Sequence, residues 1–216
     1  MIRRKFLRPR RSFAQARSAL LVALLLLASC TTLKRCAYEG IGRDGWQQPE
    51  KVIQSLDIQP GDHVADLGSG GGYFTFRLAQ AAGPGGKVYA VDIDEALNRD
   101  LRQRAQEEGY KNIEVIQARP DDPLLPEGGV DLIFTSNTFH HIQNRAGYFA
   151  NARKYLRPKG RLAIIDFNQE GWIQSFGHYT PADVIKKEME SAGYRLQREF
   201  DFLAKQNFLI FTKNGS

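Results

Sequence analysis

The chain has 216 residues, 42% of them apolar, enough for one domain with a substantial core. Its formal charge of +6 is unevenly placed: seven cations and no acid fall within residues 1–17, leaving 23 Lys and Arg against 24 Asp and Glu from Cys30 onward. That balance removes the global basic field of a nucleic-acid-binding domain, and two cysteines, Cys30 and Cys36, are too few for a disulfide framework.

Residues 1–29 read as an export leader. A cationic stretch to Arg17 is followed by an apolar run over 19–28, too short to span a bilayer comfortably, and by small residues ending at Cys30. Leu27-Ala28-Ser29-Cys30 resembles a bacterial lipoprotein cleavage box. That implies a lipidated Cys30 as the new N-terminus and a place in the cell envelope, with the membrane reached only through the lipid. Thr31 stands where an aspartate tends to hold such proteins at the inner membrane. The pairs Arg3-Arg4 and Arg10-Arg11 resemble twin-arginine export signals. An uncleaved anchor, on a protein that stays cytoplasmic or at the inner membrane, is the other reading.

Residues 30–45 are polar and aperiodic and are expected to form a tether, with the folded domain over 46–216. Proline at a first-turn position opens a short helix over 49–56. A turn at Pro60-Gly61-Asp62 leads into a strand over 63–67, then glycines, then a helix over 73–82 closed by Gly83-Pro84-Gly85-Gly86. A strand over 87–91 and a helix over 94–108 come next, the helix carrying Leu97, Leu101 and Ala105 on one stripe. Further strands are predicted over 113–117, 130–135 and 161–167, with helices over 145–156 and 181–192. The last two strands, 194–202 and 206–212, are joined tightly and so pair antiparallel. Alternating strands and helices imply a mostly parallel sheet covered on both faces.

The strongest local feature is Asp66-Leu67-Gly68-Ser69-Gly70-Gly71-Gly72, where a strand ends and a helix begins. Open α/β sheets bind ligands at that edge. A phosphate loop would need Gly-Lys-Ser/Thr at its end, which is missing. A dinucleotide fingerprint fails as well, because its last glycine would be Tyr73 or Thr75. The pattern that fits is an acid with alternate glycines after it: Asp66, Gly68, Gly70, Gly72. The next strand ends in Asp92, whose carboxylate can accept from both hydroxyls of a ribose. Asp94 is better placed to cap the helix after it, and Ile93 offers an apolar wall for a base.

These motifs resemble those of class I S-adenosylmethionine-dependent methyltransferases, small-molecule type, over nearly all of residues 43–213. Asp131-Leu132-Ile133-Phe134 is similar to the family's fourth-strand motif, and Leu156-Arg157-Pro158-Lys159-Gly160 to the turn before its fifth strand. The resemblance implies a Rossmann-like three-layer α/β sandwich with a mostly parallel seven-stranded sheet and an antiparallel C-terminal hairpin strand. It also implies S-adenosylmethionine contacts from Asp66, Gly68, Ser69, Gly70, Gly72, Tyr73, Asp92, Ile93 and Asn137. After the third strand the family usually carries Gly-Asp, but this chain has Gln117-Ala118-Arg119-Pro120-Asp121-Asp122. Arg119 takes the expected neighbourhood, with Asp121 or Asp122 supplying the carboxylate.

In such enzymes the cofactor carries the chemistry, and the protein aligns donor with acceptor. His140, with Asn137, is the candidate for any proton transfer; the alternative is that the imidazoles of His140 and His141 only bridge backbone groups. Two adjacent histidines without a third ligand do not imply a metal. Segments 43–47 and 168–179, the latter with Trp172, Phe176, His178 and Tyr179, are placed to meet a small-molecule acceptor. The competing function is an exported lipoprotein that binds S-adenosylmethionine or a nucleoside without turnover.

Overall fold

The computed structural model describes residues 42–168 and 178–215. The leader, Cys30, Cys36, most of the expected tether, Trp172 and Phe176 lie outside the described residues. Among the described residues no helix is long and apolar enough to cross a membrane.

Helices α1 (Arg43–Gln47) and α2 (Pro49–Leu56) precede β1 (His63–Leu67). Then come α3 (Thr75–Ala82), β2 (Lys87–Asp92), α4 (Glu95–Glu107), β3 (Ile113–Gln117) and β4 (Val130–Ser136). The chain continues through α5 (Arg145–Ala152), β5 (Leu156–Phe167), α6 (Ala182–Ser191), β6 (Tyr194–Phe200) and β7 (Gln206–Lys213). One seven-stranded sheet runs in the order β3-β2-β1-β4-β5-β7-β6, with β7 antiparallel to both neighbours. This is the α/β architecture expected from the alternation of elements.

Side-chain parity along the strands builds two cores. Leu162 and Ile164 of β5 join one cluster with Phe149 of α5 and Met189 of α6. The intervening Ala163 and Ile165 face the other cluster, with Val52 of α2 and Leu78 of α3. Strands β1, β4 and β7 divide in the same way, so central strands are apolar on both faces, as a sheet covered by two helical layers requires. Edge strand β6 differs: its Arg195, Gln197, Arg198 and Glu199 are exposed, and its register to β7 shifts between Leu196 and Arg198. Charge and a bulge together discourage further strand pairing there.

Three boundaries depart from the sequence reading. Helix α1 begins at Arg43, inside the expected tether, and its Gln47 is buried and donates to Ser136 Oγ at 2.8 Å. The helix predicted over 145–156 ends at Ala152, continues as a 3-10 turn over Arg153–Tyr155, and gives way to β5 already at Leu156. Pro158 pushes Arg157 out of helical conformation, and Leu156 pairs with Val130 before the register shifts to Leu132 with Arg161. Helix α3 starts at Thr75, because the turn conformation of the glycine loop persists through Phe74.

The sheet order reverses between β1 and β4, the switch point where ligand sites form in such sheets. Leu67 pairs with Val91 on one side and Thr135 on the other, so β1, β2 and β4 end level. The three segments leaving these strands therefore meet at one edge of the sheet.

Candidate functional site

A cleft of ≈ 1530 Å³ opens at that edge, lined from the loop after β1, the end of β2, the segments after β3 and β4, helix α1 and His178. It exceeds the roughly 300–1,000 Å³ of a single-ligand site, which leaves room for two bound molecules.

The glycine loop forms one wall. Gly68 N–H and Ser69 N–H both donate to Val91 O, at 2.8 and 3.2 Å, which folds the loop back over β2. Gly70 N–H donates to Asp92 Oδ2 at 2.8 Å, so the loop and the acid face one another across a single site. Asp94 N–H holds the other oxygen, Asp92 Oδ1, at 2.9 Å. Each carboxylate oxygen keeps acceptor capacity for a ligand hydroxyl. Asn98 supports this corner by donating to Asp92 O at 2.9 Å and to Gln117 Oε1 at 2.8 Å, and Gln117 in turn donates to Ile93 O. Ile93 is 62% exposed and lines the cleft, an apolar surface open to a planar ligand.

Gly68 is required by a close approach. Its φ is +72°, and a Cβ there would stand 2.1 Å from Thr138 Oγ1, so the loop packs directly on the chain leaving β4. Gly72 turns away from the cleft, where a Cβ would meet Phe76 at 2.9 Å and Leu101 at 3.2 Å. Packing explains that glycine. Ser69 Oγ is buried without a hydrogen-bond partner among the described residues, although Ser69 lines the cleft. A buried orphan hydroxyl beside a cavity is suited to a polar ligand atom.

Asp66 lies beneath the loop and accepts from Thr75 Oγ1 at 2.6 Å. Burial raises its pKa to about 7; the Thr75 hydrogen bond opposes that rise, nearby Asp92 adds to it, and Arg43 offsets part of it. Tyr73 is flanked by two guanidiniums, Arg43 at 3.8 Å and Arg77 at 4.6 Å from its ring centre, and its hydroxyl donates to Asp44 Oδ1 at 2.5 Å. Through these contacts α1 is laid over the cleft, with Arg43 and Trp46 in its wall.

After β3, Arg119, Asp121 and Asp122 all reach the cleft but differ in freedom. Asp122 accepts from Tyr155 Oη at 2.5 Å and from Leu124 N–H at 2.9 Å, which hold it in the turn. The Asp121 side chain is 85% exposed, 3.8 Å from Arg119 Nε. Of the two acids, Asp121 is the one open to a ligand.

After β4, Asn137 has φ +57° and its Oδ1 accepts from Gln206 Nε2 at 2.5 Å. Gln206, a buried residue at the start of β7, had no signal in the sequence. The next turn, Phe139–His141, carries both histidines. His140 Nδ1 lies 2.6 Å from Asp166 Oδ1, and the fully buried Asp166 also accepts from Thr180 Oγ1 at 2.8 Å. Sequence reasoning missed this partner, although an acid inside the apolar run Ala163-Ile164-Ile165-Asp166-Phe167 is a signal that could have found it. Bridging between backbone groups, the alternative for these imidazoles, is therefore not the arrangement at His140. Burial, with His140 and His178 nearby, lowers the pKa of His141. His178 stands beside the pair, 5.5 Å from the His140 ring centre and 5.3 Å from that of His141. The third imidazole that sequence spacing lacks is thus delivered by the fold.

Comparison with known proteins agrees with this geometry. A methyltransferase-domain family model matches residues 58–205. Nocamycin O-methyltransferase of Saccharothrix syringae is 30% identical over 114 residues, 53% of this chain and 41% of that protein. A ubiquinone/menaquinone biosynthesis C-methyltransferase of Ectopseudomonas mendocina is 25% identical over 121 residues, 56% of this chain and 47% of that protein. The chain thus spans less than half the length of these curated relatives. A crystal structure of an S-adenosylmethionine-dependent methyltransferase from Aquifex aeolicus superposes with a TM-score of 0.77 at 26% identity, covering 82% of this chain and 96% of that one. With the family model covering more than half of its length and the fold of S-adenosylmethionine-dependent methyltransferases around the cleft, the chain belongs to the methyltransferase-domain family.

Proposed function

We propose that the protein transfers a methyl group from S-adenosylmethionine to a small-molecule acceptor, and that it does so at the cell envelope, tethered through Cys30. One observation supports the donor assignment: the Gly70 N–H to Asp92 contact brings the glycine loop and the carboxylate proposed to hold the ribose to one wall of the cleft. The remaining walls fit the same group. Five carboxylates (Asp66, Asp92, Asp94, Asp121, Asp122) and two guanidiniums (Arg43, Arg119) line the cleft, a field that favours a sulfonium and ammonium over a pyrophosphate. Asp92 would hold the ribose hydroxyls, Ile93 and Asp121 the adenine, and Asp66 with Ser69 and the loop amides the amino-acid end.

When bound, S-adenosylmethionine would supply an electrophilic methyl carbon for a lone pair of the acceptor, the electron pair of the broken carbon–sulfur bond staying on sulfur. The chain excludes water with Arg43 and Trp46 of α1 and aligns the acceptor from the β4 side. Asp166 orients His140 through Nδ1, which leaves Nε2 as the atom that takes the proton of an acceptor obliged to lose one. That oriented dyad favours turnover over passive binding. Asn137, pinned by Gln206, positions the turn that carries His140.

Calorimetry with S-adenosylhomocysteine tests the donor reading. Micromolar binding is expected, weakened about tenfold or more by Asp92→Ala, which removes two charge-assisted bonds. Absence of such binding together with binding of NADH would reject the reading. Transfer of labelled methyl to a panel of phenols, quinols and thiols then tests turnover.

A further inference from the structure

We infer that His140, His141 and His178 form a binding site for a divalent transition-metal ion, with zinc the best match. One nitrogen from each imidazole can be chosen so that all three lie within 4.8 Å of one another. Three nitrogens around a tetrahedral zinc at about 2.0–2.1 Å stand roughly 3.4 Å apart, so side-chain rotations of about an ångström close the set. The His141 and His178 rings, both on exposed residues, are able to make them.

Hydrogen bonds hold the turn that carries His140 and His141 and the residues that follow His178. His140 and His141 share a 3-10 turn closed by His141 N–H to Thr138 O at 2.9 Å. His178 lies two residues before Thr180, whose N–H donates to Phe167 O at 3.0 Å and whose hydroxyl donates to Asp166. Asn207 Nδ2 holds Thr180 O at 2.8 Å, tying the same segment to β7.

A second, independent observation points to a metal. The His140 ring is 5% exposed, and Asp166, 0% exposed, occupies its Nδ1. This is the carboxylate–histidine pairing that fixes the tautomer and orientation of a metal-bound imidazole, with Nε2 left to the ion. Imidazole ligands select zinc, copper, iron or nickel over magnesium and calcium. Three protein ligands at the mouth of a cleft leave a fourth position open, as in catalytic rather than structural zinc sites.

The site itself stands apart from the methyl-donor reading; its use in catalysis rests on that reading. An ion there acts as a Lewis acid on a group that reaches its open position. The acceptor class that profits is a small molecule bearing a hydroxyl or thiol, which sheds its proton to solvent on coordinating and reacts as the anion. With the ion bound, His140 Nε2 is its ligand and takes no proton, so loss of the acceptor's proton to solvent replaces the His140 base step, which applies only to the metal-free protein.

The test uses the untagged full-length chain, stripped with EDTA and titrated with zinc sulfate and, separately, cobalt chloride. One zinc per chain is expected, with visible ligand-field bands in the cobalt form. His178→Ala and His141→Ala should each lower affinity by at least about 100-fold while circular dichroism stays that of the parent. No stoichiometric zinc, or zinc held equally well by both variants, as it would be by Cys30 and Cys36, overturns the site. Titrating the stripped protein with S-adenosylhomocysteine keeps the two readings distinct. Cofactor binding without zinc removes only the metal site, and zinc binding without cofactor removes only the donor.

Discussion

Lowering the pH from 8 to 6 should weaken S-adenosylhomocysteine binding about tenfold, and the cause is the protonation of Asp66. In the free protein burial raises this carboxyl from 3.8 to about 7, so at pH 6 roughly one molecule in eleven carries the charge and at pH 8 roughly ten in eleven do. If the ligand's ammonium is bound by the ionised form, the apparent dissociation constant scales with the inverse of that fraction. Calorimetry at pH 6, 7 and 8, in buffers of two ionisation enthalpies, reads both the affinity and about half a proton released at pH 7. Asp66→Asn keeps an acceptor for Thr75 Oγ1 but cannot ionise, so its affinity should be low and flat over the same range. The sign for stability is opposite. A pKa raised on folding contributes stability that is full below 3.8 and is lost as pH climbs through about 7, so Asp66→Asn should melt higher than the parent at pH 8. A flat profile in the parent protein, or a slope that survives Asp66→Asn, would refute the assignment of this carboxyl to the ammonium.

Gly68→Ala should reduce cofactor affinity by about tenfold or more, since it imposes a strained φ and a contact with Thr138 Oγ1 at 2.1 Å. Adding Thr138→Gly should restore part of the loss, and a purely additive double variant in calorimetry would show that the steric account is wrong. Palmitate labelling of the cell-envelope fraction should disappear in Cys30→Ala; labelling that persists removes the lipid anchor.

The half of the cleft proposed for the donor could be assembled from the sequence because it is nearly contiguous. Asp66 through Tyr73 and Asp92 with Ile93 lie at the ends of neighbouring parallel strands, and the spacing of β1 and β2 places them together without knowledge of anything else. The half proposed for the acceptor could not, because its parts come from chain positions that only the sheet order unites. Asp166 reaches His140 because β5 lies beside β4, and Gln206 reaches Asn137 because β7 doubles back along β5. The glycines were half legible for a related reason. Composition says that a side chain is intolerable, but only packing says against what: Thr138 at Gly68, Phe76 at Gly72. Helix α1 left no trace in the sequence because five polar-rich residues carry no period, and its place is set by Gln47 on Ser136 and Arg43 on Tyr73.

This division of the cleft separates two kinds of constraint on the chain. The end proposed for the donor is built from backbone amides and from the carboxylates of Asp66 and Asp92 at the ends of β1 and β2, groups that tolerate little change without losing the loop. The end proposed for the acceptor is built from side chains on five segments tied together by four hydrogen bonds: Gln47 to Ser136, Gln206 to Asn137, His140 to Asp166, Thr180 to Asp166. Replacing any one of these is expected to reshape that end of the cleft while leaving the glycine loop bonded to Asp92. On the proposed assignment, acceptor choice can vary around a constant donor site, and variants in Gln206 or Asp166 should alter transfer more than they alter cofactor affinity.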